Sequence, residues 1–215
     1  MTNPRILATA ALTTAILVAV PAVSAQSDAH RHIGHVADMF NGTPDNVGLL
    51  AAAQAEAEVA ALHAELAVGS SDLAGIQRHI VQLLYAINPS TSDGGPGKGY
   101  GLARAASGCA DHIGMAGRSD DASHAVRAHS IHVQTSCRNV ATWAEGIVEK
   151  GAAVAAATDL EAAMALAEEI AAMTEAIVSG TDADDSGRVS WGEGEGGLAQ
   201  ALMHLRLMKE AEGLG

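Results

Sequence analysis

The chain has 215 residues and is rich in alanine, with 25 acidic against 12 basic side chains, a formal net charge of −13 and only five aromatic residues. Such an acidic balance excludes a nucleic-acid or anionic-lipid partner, because both require a positive footprint. The scarcity of aromatic and β-branched residues excludes a β-protein, and long stretches of Ala, Leu, Glu and Gln favour helix.

The N-terminus is a separate unit. Arg5 is followed by "ILATAALTTAILVAV", an uncharged apolar run of fifteen residues, and then by "PAVSA". A basic start, an apolar centre and a small-residue end predict a secretory signal peptide over residues 1–25, cleaved after Ala25. The alternative, a retained membrane anchor, fits less well, since Pro21 leaves the run short of the roughly 20 residues that span a bilayer. The expected product is a secreted or periplasmic chain with no membrane contact after cleavage. It would carry 11 basic and 25 acidic residues. By length it forms one domain, a His-rich helical region (26–150) with a helix–loop–helix (151–215) packed on it.

The elements follow in order. "DAHRHIGHVADMF" reads as a short helix. Thr43 and Pro44 predict the N-cap and first position of a helix ending near Gly69. Ser71 and Asp72 cap a second helix that stops before Pro89, with Ile76, Ile80, Leu83 and Ile87 as its apolar stripe. Residues 88–101 form a Gly/Pro loop. A third helix covers roughly 102–115. The fourth, roughly 122–150, carries Val126, Val133, Val140 and Ile147 in a seven-residue row. Thr158 with Glu161 three residues later predicts a capping box for the fifth helix. "GLAQALMHLRLMKEAEG" is the sixth. The fold expected is an all-α bundle of about six helices.

Between the last two helices lies "DADDSGRVSWGE". Counted from Asp182, positions 1, 3 and 5 are Asp182, Asp184 and Ser186, position 6 is Gly187 and position 12 is Glu193. This resembles an EF-hand calcium loop. Calcium takes six to eight oxygen ligands, the glycine makes the sharp turn and the last Glu binds through both oxygens. The resemblance implies Ca²⁺ held by Asp182, Asp184, Ser186, the backbone carbonyl of Arg188, Ser190 through water, and Glu193. Ser at position 5 and the glycines at 192, 194, 196 and 197 depart from the pattern and imply weak binding. EF-hands usually pair, so a solitary hand stands alone or finds its partner across a homodimer.

Ten histidines accompany only three lysines. His32 and His35 share a helix face at i,i+3, as do His129 and His132. His63 and His79 lie on the inward faces of the first two long helices, and a hairpin turn near residue 70 sets them within about one helical turn of each other. His112 has Met115 at i+3, and His35 has Met39 at i+4. Imidazole suits copper and zinc, and a thioether suits copper(I) or haem iron. A transition-metal or haem site in a helical bundle, serving electron transfer or metal handling, is therefore the alternative function to calcium binding.

Cys109 and Cys137 are an even pair, and an oxidising compartment favours a disulfide. A tight hairpin at 117–119 would set them roughly 15 Å out of register. Either the turn is longer, or the cysteines are free or pair between chains. No nucleophile with a neighbouring base and no HExxH motif occurs, which points to a binding protein rather than an enzyme.

Overall fold

A computed structural model describes residues 27–215. The signal-peptide expectation falls outside them. Seven α-helices and no strand make up the described chain: α1 Asp28–Ala37, α2 Leu49–Val68, α3 Leu73–Ile87, α4 Leu102–Arg118, α5 His124–Ala156, α6 Leu160–Ser179 and α7 Leu198–Glu212. The chain is an all-α bundle, as its composition predicts. No described helix is long and apolar enough to cross a membrane.

The long helix α5 is the axis. Its row Val126, Val133, Val140, Ile147 and Val154 is wholly buried, and α3, α4, α6 and α7 pack around it. A seven-residue repeat keeps one face of a helix turned to its neighbours over many turns. α2 pairs antiparallel with α3, and α1 rests on α4. The core is assembled from small and medium side chains, mainly Ala, Ile, Leu and Val. Close helix approach supplies the packing that large aromatics provide elsewhere.

Two predicted caps move. Thr43 does not cap α2. Its hydroxyl donates to the carbonyls of Phe40 and Val47, Asp45 and Asn46 adopt positive φ, and the helix starts after Gly48. A side chain at Gly48 would press on the α1 backbone, 2.6 Å from Val36 O. For α6 the cap is Asp159 rather than Thr158, its carboxylate accepting from Ala162 N. Asp72 caps α3 as expected.

The Gly/Pro loop is tied down by an interaction the sequence did not reveal. Glu56 on α2 is fully buried. Its carboxylate accepts hydrogen bonds from the backbone N–H groups of Lys98, Tyr100 and Gly101.

Cys109 and Cys137 are disulfide-bonded, with Cα atoms 6.3 Å apart. The tight-hairpin estimate misplaced the turn. α4 runs on to Arg118 and the connection occupies 119–123, so α5 is displaced along α4. Gln134 bonding back to the Ala110 carbonyl holds that register.

Candidate metal centres

Eight of the ten histidines gather at three helix pairs. On α1, Ser27 caps the first turn by accepting from His30 N, and Ala29, Ile33 and Val36 form the buried stripe. His32 and His35 flank that stripe at i,i+3 and face α4, where His112 follows Cys109 by three residues. The Nδ1 atom of His112 lies 3.0 Å from Nδ1 of His32 and 3.3 Å from Nδ1 of His35. Phe40 closes the group, its ring edge-on to His35 and His112 at 5.5 and 5.1 Å.

The second cluster repeats the arrangement. His129 and His132 stand at i,i+3 on α5, and His204 comes from α7. Nδ1 of His204 is 3.2 Å from Nδ1 of both. The indole of Trp191 stacks on His132 at 4.1 Å. In each cluster one ring nitrogen from each of the three histidines lies within 4.8 Å of the other two. At the third helix pair, His63 of α2 meets His79 of α3, Nδ1 to Nδ1 at 3.2 Å with the rings nearly parallel.

His204 is the histidine of these clusters that the sequence did not point to. The other two members of its cluster are local neighbours on α5, whereas α7 returns to them from some seventy positions later. Its position between Ala201 and Leu205, both buried, was the available signal. The methionines go the other way: Met39 and Met115 are 60% and 43% exposed. Their exposure gives no support for thioether ligation.

Burial sets the protonation state. Desolvation is the largest cause lowering the pKa of His32, His112, His63 and His132, and a neighbouring imidazole adds to it in each case, against a raising charge from Asp28 at His32 and from Asp111 at His112. For His204 desolvation, then His132 and His129, bring the pKa down to about 4. These rings are therefore neutral at pH 7, the form with a free lone pair.

Proton counting limits what the clusters can be. A neutral imidazole carries one proton on one nitrogen. Three Nδ1 atoms facing one point make at most one good donor–acceptor pair, leaving the third ring without a proper partner. Around a tetrahedral zinc ion at 2.0–2.1 Å, neighbouring nitrogens sit about 3.3 Å apart. The contacts that His112 and His204 make, 3.0–3.3 Å, come close to that spacing, and the remaining pair in each cluster lies within 4.8 Å.

The acidic loop is also gathered, with a different last member. The carboxylates of Asp182, Asp184 and Glu195 converge within 4.8 Å. Asp182 accepts from the backbone of Ser186 and Gly187. Hydrogen bonds from Ser186, first from its side chain, hold the Asp184 pKa below the usual range. Arg188 O accepts from the Ser186 hydroxyl, and Ser190 N donates to the buried carboxylate of Glu195. Glu193, the expected twelfth-position ligand, is exposed and stands outside the group. The cause is the glycine run: α7 does not begin until Leu198, and the turn at Gly192–Gly194 presents Glu195 instead. No protein family, curated protein or solved structure matches this chain.

Proposed function

We propose that this protein binds late transition-metal ions, copper(II) or zinc(II), at two three-histidine centres, and that it handles such metals in a secreted or periplasmic setting. One observation carries the reading. The same unit, His-x-x-His on one helix plus one His from a packed neighbour, occurs twice with all Nδ1 atoms converging. His32, His35 and His112 hold one ion, and His129, His132 and His204 hold the other. Three neutral nitrogens and no thiolate suit a borderline divalent ion, and three protein ligands leave a fourth position for water. The spacing favours a bare ion over haem, whose two axial imidazoles need a flat macrocycle between them.

Metal analysis after dialysis against copper(II) or zinc(II) tests this. Two tightly held equivalents are expected to survive the dialysis. His112→Ala removes one and His204→Ala removes the other. Retention of no transition metal by the intact chain would defeat the reading.

A second reading belongs to the loop between α6 and α7, whose three converging carboxylates favour calcium. The resemblance to the EF-hand superfamily extends to Asp182, Asp184, Ser186 and Arg188, with Glu195 in the role expected of Glu193. Calcium titration of the Asp182→Ala variant against the unaltered chain tests it. Equal responses would count against a calcium site.

A further inference from the structure

The α2–α3 hairpin contains the third histidine meeting, His63 with His79, and, three residues after His79 on α3, a polar group without a partner. The side-chain oxygen Oε1 of Gln82 is buried with no hydrogen-bond partner. An orphaned buried carbonyl oxygen bears its desolvation penalty with nothing to offset it, so its presence calls for a partner.

The register of the hairpin places this oxygen. His63 and His79 are level, as their contact shows. Further along, a Cβ at Gly97 would lie 2.7 Å from the Glu56 carboxylate and 3.5 Å from Ala86 Cα. The Glu56 carboxylate of α2 therefore lies near Ala86 of α3, in keeping with the antiparallel register that His63 and His79 set. Gln82 lies between these two levels. Residues 79, 82 and 86 recur at i, i+3 and i+7 along one helix face, the face turned to α2. Helical side chains lean toward the N-terminus of their helix. Gln82 thus leans over the turn that carries His79. The spacing His79-x-x-Gln82, with His63 from the packed neighbour, matches that of the two three-histidine centres.

We infer that His63, His79 and the side-chain carbonyl of Gln82 form a third metal site, with two nitrogens and one oxygen as donors. The amide oxygen accepts no proton at neutral pH and offers two lone pairs, so it ligates without charge. Replacing one imidazole by an amide oxygen makes this the weakest of the three sites and keeps it suited to zinc(II) or copper(II) rather than copper(I). The site is additional to the two centres proposed above and does not depend on them.

Zinc(II) is the probe, measured by calorimetry and chelator competition on the full chain. In a His112→Ala/His204→Ala background, one equivalent is expected to remain, and His79→Ala abolishes it. Gln82→Leu weakens it at least about tenfold, the loss that even outer-shell contacts produce, while the metal-free thermal midpoint stays the same or rises. Should the background variant lose helix by circular dichroism, His35→Ala/His129→Ala replaces it. The third site is overturned if the background binds no zinc, or if an equivalent survives His79→Ala. Unchanged affinity in Gln82→Leu overturns Gln82 as donor. These outcomes leave the two-centre reading standing, whereas loss of zinc binding in the intact chain removes that reading first.

Discussion

At the scale of single residues, burial determines how the histidines answer to acid. The His204 pKa lies near 4 in the folded chain, against the ordinary 6.5, because desolvation penalises the imidazolium. Below pH 6.5 the unfolded chain therefore takes up more protons than the folded one. Stability rises with pH wherever the unfolded state binds more protons. The metal-free protein should hold its full His204 contribution above pH 6.5 and lose it progressively down to about pH 4. His32, His63, His112 and His132 shift in the same direction and steepen the loss. Urea unfolding from pH 4 to 7 measures this, and His204→Gln should flatten the slope. A stability independent of pH in that range would contradict the burial of these rings. Glu56 is a buried carboxylate partnered by three backbone N–H groups. Glu56→Ala leaves those donors unpaired and should cost about 3 kcal/mol in chemical denaturation.

At the scale of elements, the unit that repeats is a helix with His at i and i+3. That half was readable, since 3.6 residues per turn fixes which side chains share a face. The meeting of His63 with His79 was readable for a similar reason: the α2–α3 turn is short, and antiparallel register follows from its centre. His204 and Glu195 were not readable in this way. The first depends on which distant helix packs on α5, the second on where a glycine-rich loop lets α7 begin. The caps at Thr43 and Thr158 failed because each had a neighbouring alternative, Gly48 and Asp159, that tertiary contacts or a better acceptor preferred. The Trp191–His132 stack links the loop to the α5–α7 centre and supplies a reporter. In a Trp143→Phe background, copper(II) should quench Trp191 emission at one equivalent per centre. His204→Ala should remove that quenching, and His112→Ala should not.

At the scale of the whole molecule, α5 and the disulfide hold the centres in place. Cys109 lies three residues before His112 and Cys137 five after His132, so the bridge ties α4, which carries one histidine of the first cluster, to α5, which carries two of the second. Its ends are 28 residues apart, and closing such a loop removes roughly 3.5 kcal/mol of unfolded-chain freedom. Reduction should lower the thermal midpoint of the metal-free chain and weaken both centres less than loss of a histidine does. The fold class was legible because alanine-rich amphipathic helices and a seven-residue valine row admit few other architectures. The assembly of helices was less so, since composition does not say which pairs meet.

The central claim, two centres of three imidazoles each, is tested most directly by X-ray absorption at the metal edge of the full chain loaded with two equivalents of zinc(II). The account predicts a first shell dominated by imidazole nitrogens at about 2.0 Å, with the outer-ring scattering that imidazole produces. An oxygen-only shell without imidazole scattering would contradict it.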